Sequence, residues 1–315
     1  MLTIKYGTVD TTIDITSAVL EKCVKQNIAH IPAGDEERAY LFTDPVWGKV
    51  KLIYINDVSG GYIASTHIFI DLSSNAVFVD EMPAYIRTIY PTIVESIENG
   101  KILKKLQQIQ AGLKLDGGTF YDEFPEQLMV TRYMTGNEKV LEIGGNIGRN
   151  SLVIASILNK VGNSNLVTLE SNTEIYKQLL HNKEINLLNF FVENSALSKR
   201  KLIQSHWYSE VSDVVKPGYF PVNIMTYADL LEKYNIQFDT LVLDCEGAFY
   251  YILKDMPEVL DYVTLIIMEN DYWDITQKEY LDSVLIANNF HADYTEAGGW
   301  GPCESCFFQV WKRTL

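Results

Sequence analysis

Residues 138–151 constrain this chain more than any other stretch. They read Glu138-Lys139-Val140-Leu141-Glu142-Ile143-Gly144-Gly145-Asn146-Ile147-Gly148-Arg149-Asn150-Ser151. A short apolar run ends in an acid, enters a glycine-rich turn and leaves into an amphipathic pattern carried by Leu152, Val153, Ile154, Ile157 and Leu158. Strand, glycine turn and helix in that order predict a nucleotide-type pocket. The glycines let a ligand lie against bare backbone, and the helix N-terminus offers free N–H groups.

Spacing selects the ligand. Dinucleotide sites want G-x-G-x-x-G, whereas here the pattern is acid-x-G-x-x-x-G, from Glu142 through Gly144 to Gly148. An acid at the first position suits an ammonium rather than a pyrophosphate, which points to S-adenosylmethionine. Glycine-rich turns also occur as plain loops, so the next segment matters. Residues 167–170, Val-Thr-Leu-Glu, form a second apolar run ending in an acid, 28 residues after Glu142. In a Rossmann-like unit an acid there meets ribose hydroxyls; alone, Glu170 would be a solvated strand end.

With these residues in place the chain resembles the class I S-adenosylmethionine-dependent methyltransferases, and among them the FkbM-type group, over residues 120–312. Besides the turn and Glu170, the resemblance rests on Asn186 and on Asn194-Ser195-Ala196-Leu197-Ser198. It rests most on Phe238-Asp239-Thr240-Leu241-Val242-Leu243-Asp244-Cys245-Glu246-Gly247-Ala248, which looks like the group's hallmark segment. Cys245 replaces a usual aliphatic residue. Phe249 sits where the group often has a second acid, so no catalytic role is assigned there.

The resemblance implies a seven-stranded Rossmann-like sheet with an antiparallel C-terminal hairpin. It implies that Glu142, Gly144, Gly145, Asn146 and Gly148 hold the methionine end of the cofactor. Glu170, Ser171 and Asn172 would hold its ribose, and Ser195 and Ala196 its adenine edge. Asp244 and Glu246 follow the central strand and are the candidate catalytic acids. An acid ending a buried apolar strand is costly unless paired, which favours a role for Asp244; Glu246 has the alternative of shaping its turn. Asp244, Glu269 and Asp271 are also hard oxygen donors from two adjacent strand ends, and some sugar O-methyltransferases place Mg²⁺ in a similar way.

Three segments follow from pattern. Residues 1–81 alternate like short strands at 3–6, 12–15, 49–55, 62–70 and 76–79, with a short helix at 17–25, and predict a small β-rich accessory domain. Residues 82–118 carry Ile86, Ile89, Ile93 and Ile97, then Ile102, Leu103, Leu106 and Ile109, at helical spacing. They predict a helical connector broken at Asn99-Gly100. Residues 119–315 alternate strands and helices in α/β style. Strands are expected at 139–143, 166–169, 189–193, 240–243 and 264–268, and a hairpin at 291–295 and 306–311.

Composition limits the partners. The 315 residues are 47% hydrophobic and carry a formal net charge of −15. That charge disfavours nucleic acid, whose binding needs a basic face, and Lys199-Arg200-Lys201 is too short to supply one. No apolar run reaches the roughly 18 residues of a membrane span, and residues 1–6 lack a signal peptide's apolar core, so a cytoplasmic location is expected. Cys303 and Cys306 form a C-x-x-C without a second ligand pair, which reads as two reduced thiols rather than zinc. The five histidines form no metal or triad pattern.

The expected activity is S-adenosylmethionine-dependent O-methylation, with a sugar or glycan hydroxyl as first acceptor by resemblance. A protein or small metabolite is the alternative acceptor. A catalytically inactive binding or scaffold protein is the alternative class. Trp207, Tyr208, Tyr272, Trp273 and Trp300 are candidates to stack on sugar faces, though ordinary packing would also use them. Residues 1–118 are expected to bind a protein partner or mediate homo-oligomer formation.

Overall fold

The computed structural model describes residues 2–56 and 60–314; residues 1 and 57–59 of the expected segment 1–81, and residue 315 of the segment 119–315, lie outside them. The chain divides into two compact units, residues 1–101 and 102–315.

The first unit holds two antiparallel sheets. One pairs Ile4–Gly7 with Thr12–Asp14 and Leu52–Ile55; the other runs Val24–Lys25, Ile28–Ile31, Ile68–Asp71, Ala76–Phe78. Helices Thr16–Lys22 and Asp35–Phe42 complete it. Ile4, Tyr6, Val19, Ile31, Ile53 and Ile68 form its centre. Pattern alone missed the strand at Ile28–Ile31, an apolar run too short to show a period, and the helix at Asp35–Phe42. Three acids open that helix, where they complement the N-terminal dipole. Of residues 62–70, only Ile68 onward belongs to a strand.

The helical stretch breaks elsewhere than expected. One helix covers Ala84–Ile89, and a second runs unbroken from Pro91 to Ala111 through Asn99-Gly100. Proline restricts the residue before it and lacks an N–H, so the break falls at Tyr90-Pro91. Leu106 and Ile109, on the last turns of the long helix, are buried in the core of the second unit.

The second unit is built on one seven-stranded sheet: β1 (Val140–Ile143), β2 (Leu166–Leu169), β3 (Phe191–Glu193), β4 (Thr240–Leu243), β5 (Leu265–Glu269), β6 (Phe290–Glu296) and β7 (Phe308–Arg313). The spatial order is 3-2-1-4-5-7-6. Strands β1 to β5 are parallel; β7 pairs antiparallel with β5 and β6. Side chains alternate between two cores. Leu141, Ile143, Leu241, Leu243, Ile266 and Met268 face one; Val140, Val242, Leu265 and Ile267 face the other.

Three helices position the site: α1 (Phe124–Tyr133) before β1, α2 (Arg149–Asn159) after the glycine turn, and α3 (Thr173–Ile185) after β2. Between β3 and β4 the chain inserts a small sheet not anticipated from pattern, Leu202–Ser205 with Tyr208–Val211 and Phe220–Val222. No helix among the described residues is long and apolar enough to cross a membrane.

Candidate active site

The glycine turn joins β1 to α2, and its glycines are required by the protein itself. At Gly144 φ is +91°, and an added Cβ would lie 1.6 Å from the Asp244 carbonyl oxygen. A Cβ at Gly145 would meet Thr168 at 2.2 Å, and one at Gly148 would meet Leu179 at 2.4 Å. The turn is thus pressed onto the end of β4, onto β2 and onto α3. Its N–H groups are also spent internally. Those of Gly144 and Gly145 donate to the Leu169 carbonyl, that of Gly148 to Gly145, that of Asn146 to Glu170 Oε2 at 2.9 Å, and that of Ile147 to Asn146 Oδ1. Close self-packing has thus used the N–H groups of the turn itself.

Glu142 is likewise tied into the scaffold. It is 2% exposed, and its Oε2 accepts from Ser151 Oγ at 2.5 Å and Thr168 Oγ1 at 2.7 Å. Glu142 and Thr168 are direct neighbours across β1 and β2, on the face covered by α2. The acid sits two residues before the turn, so the pleat points it beneath the helix and it anchors the turn. Burial pushes its pKa up to about 8 against the two hydroxyl hydrogen bonds.

Glu170 ends β2 at the rim. Its Oε1 accepts from the Asn172 N–H at 2.7 Å and its Oε2 from Asn146. The Ser171 N–H also donates to this carboxylate, which leaves part of its acceptor capacity for a ligand hydroxyl, and burial raises the pKa to about 7. Its neighbours serve the scaffold: Asn172 caps α3, Ser171 Oγ donates to Gln204 of the inserted sheet, and Asn194 Nδ2 donates to the Glu170 and Ser171 carbonyls. The Ala196 N–H donates to the Asn223 carbonyl at 2.8 Å. Ser195 Oγ, by contrast, is buried without a partner.

Two acids that sequence reasoning passed over complete the site. Glu123 takes Arg149 Nη1 at 2.9 Å, Asn146 Nδ2 at 3.1 Å and the Asn150 N–H. Its carboxylate thereby occupies the anion-binding start of α2. Burial raises its pKa to about 7 despite Arg149. Glu126, one turn further along α1, joins Asp244 and Glu269, with one carboxylate oxygen from each within 4.8 Å of the others. The signal was present: acids at 123 and 126 are three apart, hence on one face where a helix starts. Asn150 was missed too; it is 6% exposed and its Oδ1 has no partner.

The expected metal set is therefore revised. Asp244 and Glu269 converge, but the third member of the cluster is Glu126 rather than Asp271. Asp271 Oδ1 accepts from the Gly247 N–H at 2.8 Å, which turns it toward the end of β4. Burial, followed by repulsion from neighbouring carboxylates, pushes Asp244 and Glu269 well above the usual range. Glu246 is exposed at the rim with φ +51°, followed by Gly247 at φ +77°. A non-glycine residue held left-handed is a strained turn of the kind found at functional sites. Tyr272 is 1% exposed and cannot stack on a ligand, whereas Trp273 is 82% exposed. Cys303 and Cys306 are free thiols on a short 3₁₀ helix before β7.

No family model matches the chain, and no curated protein does. Among solved structures it is similar to a ribosomal protein L11 methylase from Lactobacillus delbrueckii, with 14% identity, 64% of this chain and 84% of that one covered, and a TM-score of 0.41. An O-methyltransferase from Bacillus cereus in complex with SAH gives 17%, 69%, 90% and 0.37. A methyltransferase from Pyrococcus furiosus gives 13%, 70%, 100% and 0.38. At TM-scores this low these are likenesses only. The strand order of the chain itself, with β7 reversed between β5 and β6, is that of a Rossmann-like α/β methyltransferase fold.

Proposed function

We propose that this chain transfers a methyl group from S-adenosylmethionine. The supporting observation is the pairing of Glu170, anchored at the rim of β2 with acceptor capacity left over, with the buried carboxylate cluster at the ends of β4 and β5. Ligands of open α/β sheets lie along that edge. Glu170 would receive the ribose hydroxyls. Ser195 Oγ and Asn150 Oδ1, both buried and unpartnered, are the polar atoms a bound cofactor would satisfy. The cofactor supplies the activated methyl; the protein aligns an acceptor with it.

Asp244 would orient the acceptor and, in its ionised form, accept its proton, with Glu246 at the rim beside it. The resemblance at residues 238–248 supports a sugar or natural-product hydroxyl as the acceptor, and a protein or small metabolite is the alternative. The hard oxygens of Glu126, Asp244 and Glu269 also fit a second reading in which they hold Mg²⁺, which would polarise the acceptor hydroxyl. Loss of turnover in EDTA and its return with Mg²⁺ selects that version.

Calorimetry with S-adenosylhomocysteine tests the cofactor assignment. Glu170→Ala removes hydrogen bonds to a charged group, each worth about 1.5–3 kcal/mol, so affinity is expected to fall about 10-fold or more. Unchanged affinity in that variant removes Glu170 from the site. Absence of binding by the unsubstituted protein would leave the scaffold reading.

A further inference from the structure

The carboxyl edge of the sheet gathers carboxyl groups that no cation of the protein balances. Glu126, Asp244 and Glu269 come from three separate elements and meet within 4.8 Å. Asp271 lies behind them, with Oδ1 on the Gly247 N–H and Oδ2 buried without a partner. Glu126 Oε2 is likewise unpartnered, on a residue only 6% exposed. Among the described residues none of these four carboxylates has a lysine or arginine in ion-pair contact. Arg149, the cation of the glycine turn, is spent on Asp122, Glu123 and the Thr119 carbonyl.

Buried carboxylates without counter-charge are expensive, and clustering adds mutual repulsion. A fold keeps such a group where a ligand's charge completes it. Two residues past Asp271 along the chain stands Trp273, largely solvent-exposed, with its ring centroid 4.2 Å from that of Trp300. A Cβ added at Gly301, next to Trp300, would lie 3.7 Å from the Tyr272 carbonyl oxygen, so the segments that carry the two tryptophans run alongside each other. Indole faces attract cations and stack on flat or ring-shaped ligands.

We propose that the acceptor bound at this site carries a protonated amine, seated on Glu126, Asp244 and Glu269, with the body of the molecule against the Trp273–Trp300 pair. This rests on the methyltransferase reading above. An ammonium has three N–H donors and no acceptor, and three carboxylates from three directions match it. Charge-assisted N–H···O bonds are the strong kind. The exposed aromatic pair distinguishes this arrangement from a bare metal cradle, which has no use for it.

The full-length protein is first saturated with S-adenosylhomocysteine in a calorimeter. Failure at that step defeats the methyltransferase reading itself, before any acceptor is added. The loaded protein is then titrated with pairs that exchange an amine for a hydroxyl: glucosamine against glucose, and phenethylamine against phenethyl alcohol. Within at least one pair the amine is expected to bind ten-fold or more tightly, and Glu126→Gln is expected to reduce that preference to about two-fold. The same substitution relieves the crowding of carboxyl groups in the ligand-free cluster, so it should raise the melting temperature of the unliganded protein, a readout independent of the probes. Equal binding within both pairs, or no binding by either amine, overturns the proposal. So does a lowered melting temperature in Glu126→Gln. Restoration of neutral-sugar binding by Mg²⁺, with no preference for amines, would make the cluster a metal site instead.

Discussion

Gly144 shows how one residue serves the fold and the site together. Its φ of +91° is a backbone state that L side chains rarely adopt, and the space a Cβ needs is filled by the Asp244 carbonyl at 1.6 Å. Alanine there must strain the turn or push β4 away from β1. Overpacking typically costs about 1–3 kcal/mol and a left-handed alanine roughly 1–2 more, so Gly144→Ala is expected to destabilise by about 2–5 kcal/mol in urea unfolding. A loss below about 1 kcal/mol would mean the turn is looser than described. Cofactor binding lost in such a variant reports on the scaffold; Glu170→Ala also frees the Asn146 and Asn172 N–H groups, so its effect on affinity is read beside its effect on the melting temperature.

At the scale of elements, the helix Pro91–Ala111 is instructive. Asn99 and Gly100 are poor helix formers, yet propensity is a weak prior once a helix face is buried, as Leu106 and Ile109 are. Nothing lies within 4 Å of a Cβ added at Gly100, and its φ is not positive. Gly100→Ala is therefore expected to stabilise the protein by about 0.5–1 kcal/mol, through reduced chain entropy and better helix propensity. Denaturation midpoints at equal slope measure it, and a destabilising result would place a hidden kink at that position. The same helix fixes where the second unit starts: a chain beginning near Gly118 would lack Leu106 and Ile109 from its core.

For the whole molecule, buried acids set the pH response. Glu123, Glu170 and Asp271 are raised to about 7 and Glu142 to about 8, from ordinary values of 4.5 and 3.8. A carboxyl whose folded pKa exceeds its unfolded value holds its proton more tightly when folded. Its stabilisation is complete below the unfolded value and is lost as pH rises through the folded one. His30 works in the opposite direction. Burial beside His67 lowers it from 6.5 to about 4, so its contribution is lost as pH falls from 6.5 through 4 and is complete above 6.5. Between about pH 6.5 and 8 only the carboxyls act, and the melting temperature of the ligand-free protein is expected to fall. A flat or rising melting temperature in that window contradicts the burial of these acids. A cation bound at the site should flatten the slope, because it favours the charged carboxylates.

Periodicity and spacing determined the parallel strands and the turn between β1 and α2, because apolar runs bounded by glycine and acid record local geometry directly. Strands 166–169 and 240–243 were legible to the residue for that reason, and so was Glu170, the acid that closes its strand. Short elements such as Ile28–Ile31, and the sheet inserted at residues 202–222, were not legible, because four residues show no period and their pairing is non-local. Only the tertiary structure decided which acids meet. Glu142 and Glu126 look alike as sequence; the pleat buries one under α2, while α1 carries the other across the sheet to Asp244 and Glu269. Whether a side chain faces a ligand or its own scaffold depends on which partners lie across the sheet, and that distance is not written along the chain.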